Sequence, residues 1–274
     1  MRANADAASL LEARIEDLLA RAEQGAVACL PFLTPRDRKH AERILHAFGA
    51  DGRAWFWGGY PDAERACLFL LPDYLLLCLP NGRVAQEDGA TLCELLVEEL
   101  ADTVCAVSVK GSGYRSLSHR DYLGSILGLG LERDALGDIA VQNEHAAVVF
   151  CSARIAQFLI ETLEKVASDT VKCKLYAVDE SFTDGRTYKP IADTVASARL
   201  DCVVAALTNL SRDDAKTAIR TGLVEVDFEP EERVDRTLVP PATLSVRGYG
   251  RFILRAFDGE TRKGRLRLRA DQLI

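Results

Sequence analysis

The stretch that most constrains the fold runs from residue 199 to residue 228 and reads RLDCVVAALTNLSRDDAKTAIRTGLVEVDF. Ser211 stands at a helix N-cap position, and Asp214 supplies a carboxylate three residues later for the reciprocal capping contact. An apolar stripe follows at helical spacing, formed by Ala215, Ala218 and Ile219. Gly222 is suited to end this helix, and the apolar residues after it alternate as in a strand. The stretch therefore predicts two short helices that lead into a strand.

The second of these helices carries a basic stripe at a spacing of four residues, formed by Arg212, Lys216 and Arg220. Residues four apart share one face of a helix. A helix N-terminus presents unpaired N–H groups and a partial positive charge, and basic side chains beside it add donors. This arrangement favours phosphate as a ligand. The alternative is an ordinary solvated helix face.

The order of these residues resembles the S4 RNA-binding domain. The similar segments are Arg199-Leu200-Asp201, Ser211-Arg212, Lys216, Ile219, Thr221-Gly222-Leu223-Val224 and Ser245-Val246-Arg247-Gly248. The resemblance implies RNA contacts by Arg199, Ser211, Arg212, Lys216, Arg220, Arg247, Gly248 and Arg251, and Asp201 is expected to orient a neighbouring basic group. Asp227-Phe228 stands where the pattern commonly has Asn-Gly, and Pro241-Ala242 where it has Gly-Asp, which leaves the hairpin geometry open.

A second basic pattern lies near the C-terminus, where Arg265, Arg267 and Arg269 alternate with Leu266 and Leu268. In a strand, this period of two puts the arginines on one face and the leucines on the core face. The arginines either extend the RNA surface or form a solvated strand face.

Charge is distributed unevenly along the 274 residues, whose formal net charge is −7. Residues 182–274 hold 16 Lys and Arg against 14 Asp and Glu, whereas residues 1–181 hold 18 against 27. We therefore expect a polyanion to meet the C-terminal part and to be repelled elsewhere.

The segment 104–178 reads strand (104–109), helix (118–129), strand (138–141), strand (146–150), helix (152–166) and strand (171–178). This order indicates a βαββαβ unit of the ferredoxin-like or RRM type. The predicted fold class is α+β and multidomain. It comprises a small α/β N-terminal domain (1–90), an RRM-like middle domain (91–181) and a C-terminal S4 domain of the αL type (182–274).

Catalytic and metal-binding motifs are not found. His119-Arg120-Asp121 imitates a kinase catalytic loop, but Ile126 stands where a metal-binding Asn is required. Gly128-Leu129-Gly130 lacks the third glycine of a dinucleotide fingerprint. The eight cysteines show no zinc-ligand spacing, so we expect free thiols, no metal and no cofactor. No apolar run is long enough for a membrane span, and we expect a cytoplasmic monomer.

Further segments resemble the YlmH-like family of bacteria and plastids: Phe32-Leu33-Thr34-Pro35, Gly58-Gly59-Tyr60-Pro61, Ala63-Glu64-Arg65, His119-Arg120-Asp121-Tyr122-Leu123-Gly124, Leu129-Gly130-Leu131-Glu132-Arg133 and Gly137-Asp138-Ile139. The resemblance implies association with large ribosomal subunits, including those holding stalled peptidyl-tRNA, with rRNA and tRNA as ligands and no catalysis. Two alternatives remain. One is an RNA-modifying enzyme, a pseudouridine synthase or methyltransferase, with an S4 targeting domain. The other is a protein-only scaffold.

Overall fold

The computed structural model describes residues 2–179 and 181–274, without the side chains of residues 2–8 and of Gln86. The described residues form a mixed α/β architecture with three sheets. It divides into two compact units, one ending at Gly185 and the other running from Arg186 to Ile274. Among the described helices, none combines the length and the apolar character needed to cross a bilayer.

The first unit contains two sheets and seven helices in its described part. Its elements are α1 (Arg2–Glu23), β1 (Ala28–Leu33), α2 (Pro35–Ala47), β2 (Ala54–Trp57), β3 (Ala66–Leu70), α3 (Asp73–Leu76), α4 (Gly89–Leu95), α5 (Val97–Thr103), β4 (Cys105–Gly111), α6 (His119–Leu127), β5 (Leu136–Asn143), β6 (Ala146–Cys151), α7 (Ala153–Thr162), β7 (Lys165–Val166) and β8 (Asp169–Leu175). The sheet orders are β1-β3-β2 and β5-β6-β4-β8-β7, and all neighbours are antiparallel.

Helices α1 and α2 pack on the three-stranded sheet through a core that includes Ile15, Leu45 and Leu68. Helix α2 begins where local rules place it. Thr34 is the N-cap and its hydroxyl accepts a hydrogen bond from the amide of Asp37 at 3.1 Å, with Pro35 in the first helical position.

The order of elements predicted for residues 104–178 is present, and α6 and α7 cover one face of the five-stranded sheet. Helix α7 is shorter than predicted. It ends at Thr162 rather than at Val166, because a tight turn through Ala167, at φ 50°, returns the chain as the β7–β8 hairpin. The buried Val166 therefore reaches the core from a strand.

Residues on both sides of position 90 share one hydrophobic core, which joins Phe32, Trp55 and Tyr60 to Ala106 and Phe150. A buried polar junction lies at its edge. The carboxylate of Asp138 accepts hydrogen bonds from the Tyr60 hydroxyl at 2.7 Å and from the amides of Glu64 and Arg65 at 2.8 and 3.1 Å.

The Arg65 side chain completes this junction. Its guanidinium donates hydrogen bonds to the carbonyls of Phe32, Leu136 and Arg133. Burial lowers the pKa of Arg65. Several of the motif segments that carry the YlmH-like resemblance therefore meet in one structural contact.

The second unit is a six-stranded antiparallel sheet with two helices on one face. Its elements are β9 (Tyr188–Val195), α8 (Leu200–Thr208), α9 (Arg212–Arg220), β10 (Val224–Val226), β11 (Glu229–Pro230), β12 (Ala242–Val246), β13 (Gly250–Glu260) and β14 (Leu266–Leu273). The strand order is β11-β10-β12-β13-β14-β9. Ile219 of α9, Val203 of α8 and Leu244 of β12 are fully buried in its core.

The hairpin left open by Asp227-Phe228 forms as a two-residue turn. Both residues have left-handed backbone angles, φ 54° and 68°, and Val226 pairs with Glu229 across the turn. The Asp227 carboxylate accepts a hydrogen bond from the amide of Thr243 at 2.9 Å, which fixes the turn against β12. The hairpin is thus built without Asn-Gly.

Candidate nucleic-acid interface

Helix α9 begins with a closed N-cap. The Ser211 hydroxyl accepts a hydrogen bond from the amide of Asp214 at 3.1 Å and donates one to the Asp214 carboxylate at 2.6 Å. Its hydroxyl is therefore engaged in starting the helix, as the sequence predicts.

A buried carboxylate positions two of the predicted contact residues. Asp201 is fully buried, and its two oxygens accept hydrogen bonds from Nε of Arg199 and Nε of Arg212, each at 3.0 Å. Burial raises the pKa of Asp201, but these two hydrogen bonds outweigh burial and the net shift is downward. The arginine side chains remain 39% and 53% exposed. Asp201 thus orients both basic groups while leaving their outer donors accessible.

The other two cations of α9 have different surroundings. Lys216 donates to the Asp213 carboxylate at 2.9 Å, and this hydrogen bond lowers the pKa of Asp213. Asp213 is 90% exposed, so the pair is a weak surface contact that a phosphate can displace. Arg220 is exposed at the C-terminal end, and the described residues offer it no ion-pair partner.

Asp213 is a residue that the sequence-based reasoning missed. Its spacing of three from Lys216 is the signal that could have identified the pair. Together, Asp213 and Asp214 place two carboxylates in the first turn of α9. They oppose an anion at the helix N-terminus itself, so a phosphate is better received by the side chains along the helix.

The turn between β12 and β13 lies beside the C-terminal end of α9. The amide of Arg247 donates to the carbonyl of Leu223 at 2.9 Å, which ties this turn to the residue after Gly222. Gly248 has φ 89°, an angle that favours glycine. Arg247 and Gly248 are exposed there, on the same end of the unit as Arg220.

Arg251 is placed differently. It pairs with Ser245, which pairs with Glu225, whereas the neighbouring Phe252 points into the core under the helices. Side chains alternate along a strand, so Arg251 lies on the outer face of the sheet, opposite α9. Its guanidinium sits 5.3 Å from the centroid of the Phe228 ring. The structure therefore does not bring Arg251 together with the α9 stripe.

The C-terminal arginines alternate as predicted, with Leu268 buried and Arg267 and Arg269 exposed on the outer face. Arg269 forms an ion pair with Asp258 at 3.0 Å. Arg265 donates to the hydroxyl of Thr194 at 3.0 Å and to its carbonyl oxygen. These arginines share their face with Arg251.

The described residues show no group of three His, Cys, Asp or Glu side chains that could hold a metal ion. All eight cysteines are free thiols. Asp121 of the kinase-like triplet accepts hydrogen bonds from the amide and hydroxyl of Ser118 at 2.8 and 2.6 Å, and so caps α6.

The α9 stripe and the outer sheet face are the two basic surfaces of this mixed α/β unit, and comparison with known proteins shows what the chain is similar to. Residues 104–180 match a family described as "Putative RNA-binding domain in YlmH". The chain is 28% identical over 246 residues to "Ribosome-associated protein quality control protein P2" of Bacillus subtilis (strain 168), covering 90% of this chain and 87% of that protein. The resemblance to the YlmH-like family that the sequence indicated is confirmed.

A solved structure is also similar, that of "Cell division protein ylmH from Streptococcus pneumoniae". It is 19% identical, covers 64% of this chain and 90% of its own, and superposes with a TM-score of 0.44.

Proposed function

We propose that the protein is a non-catalytic RNA-binding protein that binds rRNA and tRNA on the large ribosomal subunit through its C-terminal unit. The observation that carries this proposal is the presentation of Arg199 and Arg212 by the buried Asp201. A guanidinium held in place loses less side-chain freedom on binding, and its planar donors match phosphate oxygens.

The proposed role is ribosome quality control, including the handling of stalled peptidyl-tRNA. The match of residues 104–180 to an RNA-binding domain and the name of the Bacillus subtilis relative support a ribosome-associated function. We infer that the protein is a cytoplasmic monomer without enzymatic turnover.

The proposed architecture keeps the three segments 1–90, 91–181 and 182–274. The antiparallel order β5-β6-β4-β8 with two helices on one face supports the RRM-like description of the middle segment. The helix pair leading into β10 supports the S4 description of the third segment. The first two segments share a core and act as one compact unit.

The test uses Lys216→Gln with Arg220→Gln, because within the described residues no hydrogen bond or ion pair links either side chain to a buried group. Changing Arg212 would instead leave the buried Asp201 short of a partner and confuse binding with stability. For about five phosphate contacts, the slope of log affinity against log salt should be about −4 to −5. The double variant should flatten this slope by about 2 in titrations with large ribosomal subunits, with an unchanged melting temperature.

Arg262→Gln with Lys263→Gln is the matched control, since it removes the same charge from exposed positions in the β13–β14 turn of the same unit. The control should retain most of the wild-type slope. If both pairs have equal effects, or the α9 pair has none, α9 is not the RNA-binding surface.

A further inference from the structure

The face of the five-stranded sheet that α6 and α7 leave uncovered carries four exposed lysines on three neighbouring strands: Lys110, Lys165, Lys172 and Lys174. Lys110 stands directly opposite Lys172, Lys174 opposite Ser108, and Lys165 opposite Thr170. Directly opposed residues share a face, as do residues two apart in one strand. We call this surface the lysine face.

The described positions of β4, β7 and β8 on the lysine face carry no acidic side chain. On this face, β4, β7 and β8 hold only the four lysines, Thr170 and the buried residues Ala106 and Ser108. Within the part of the chain that the structure describes, none of the four lysine side chains makes a hydrogen bond or an ion pair. Like charges directly opposite one another destabilise a sheet, so the Lys110–Lys172 pair is an arrangement that a bound polyanion would relieve.

The other half of the same sheet surface is closed. Phe150 of β6 packs against Tyr60 and Phe182, with ring centroids 5.0 and 5.6 Å apart, and all three belong to the first unit. An RRM sheet binds RNA by stacking bases on exposed aromatic residues of its central strands. Base stacking of this kind is blocked on β6, because Phe150 is buried against Tyr60 and Phe182. The open half offers charge instead.

One large exposed ring does stand at the edge of the lysine face. Tyr114 is 83% exposed in the loop that follows β4. The amide of Ser112 in this loop donates to the carbonyl of Thr170 at 3.0 Å, which holds the start of the loop against β8. A nucleic acid presents both phosphates and flat bases, so lysines beside an exposed ring fit RNA.

We propose that the lysine face is a second RNA-binding surface, which contacts the phosphate backbone through Lys110, Lys165, Lys172 and Lys174, with Tyr114 stacking on a base. The inference rests on the proposed function in taking RNA as the ligand. It locates the contact within residues 104–180, the segment that matches the RNA-binding domain family. Because lysines act as point charges on phosphates, this surface binds with little sequence preference.

The test is a salt titration of the full-length protein with purified bacterial ribosomal RNA. The triple variant Lys110→Gln, Lys172→Gln and Lys174→Gln should flatten the slope of log affinity against log salt by about 2 to 3, and weaken binding more than tenfold at about 0.1 M salt. Its melting temperature should equal or exceed that of the wild type, because a like-charge pair is removed. Tyr114→Ala should weaken binding several-fold without changing the slope.

The matched control is Arg14→Gln, Arg83→Gln and Arg120→Gln, which removes the same charge from exposed positions elsewhere in this unit. If the lysine triple binds RNA like this control, the proposal is overturned. The outcome for the lysine face can be distinguished from the outcome for α9, because the two sets of substitutions are tested separately. Loss of binding in the lysine triple supports the lysine face even if Lys216→Gln with Arg220→Gln has no effect, and the reverse pattern would support α9 alone.

Discussion

One carboxylate determines how the C-terminal unit presents its arginines. Asp201 lies two residues after Arg199, and this proximity is visible in the sequence. Arg212 is eleven residues further on and reaches the same carboxylate because the chain reverses after α8 at Asn209, which has φ 56°. The shared carboxylate makes the two arginines one structural feature. Neither can be assigned to RNA binding without considering the stability of the unit.

Asp201→Asn should lower the free energy of unfolding of the C-terminal unit by about 2 kcal/mol at neutral pH, because it removes the charge that two arginines bond. The pKa of Asp201 is lowered from 3.8 in the folded state. Its stabilisation is therefore fully present above that ordinary value and is lost as pH falls below it. The difference in free energy of unfolding between variant and wild type should therefore become smaller at acidic pH. Urea denaturation at several pH values measures this difference.

Asp213→Asn is the control for that substitution, since Asp213 is exposed and its ion pair is weak. It should change stability by less than about 0.5 kcal/mol. An Asp201→Asn protein as stable as the wild type at neutral pH would contradict the assigned role.

At the scale of elements, local capping chemistry determines where helices begin. Thr34, Ser118 and Ser211 each accept an amide hydrogen bond from the residue three positions later. For Ser211, this role competes with the RNA contact predicted from the S4 resemblance, because one hydroxyl serves both.

Ser211→Ala should lower the free energy of unfolding of the C-terminal unit by about 1 kcal/mol through loss of the cap. Ser211→Asn should restore stability, because asparagine is an equally good N-cap. We expect affinity for large ribosomal subunits to fall in the alanine variant, because loss of the cap loosens the start of α9. The asparagine variant should restore the affinity, because it restores the cap. If asparagine restores the melting temperature but not the affinity, the hydroxyl contacts RNA directly.

At the scale of the whole molecule, the first unit is held together by a core and a polar junction that cross the boundary predicted at residue 90. Asp138 receives one hydroxyl and two amide hydrogen bonds from the segment that ends at Arg65. Burial of this carboxylate makes the junction depend on all three donors.

Asp138→Ala should destabilise the first unit by about 3 kcal/mol, because it leaves buried amides without an acceptor. Hydrogen exchange read by mass spectrometry should show faster exchange in both α2 and β4, with the C-terminal unit unaffected. Tyr60→Phe removes a single donor and should cost about 1 kcal/mol. Faster exchange confined to α2 would show that the two parts of the first unit unfold independently.

The sequence by itself determined the features that depend on neighbours in the chain. Capping residues place the starts of α2, α6 and α9, and the alternation around Leu268 assigns the faces of β14. The basic stripe of α9 is likewise readable from a spacing of four. These features need only a few consecutive residues, whose backbone and side-chain geometry is the same in any fold.

Only the tertiary structure decided the features that depend on residues distant in the chain, namely which edge strands form and which side chains share a sheet face. Three of the strands that the sequence pattern did not predict, β1, β7 and β9, lie at sheet edges. An edge strand pairs on one side only, so it tolerates proline and charged residues that interrupt the apolar alternation typical of a strand. The interrupting residues here are Pro31 in β1, Lys165 in β7 and Pro190 in β9. Pairing register also set the face of Arg251 and assembled the lysine face, because Lys110 and Lys172 become neighbours only when two strands separated by some sixty residues are joined.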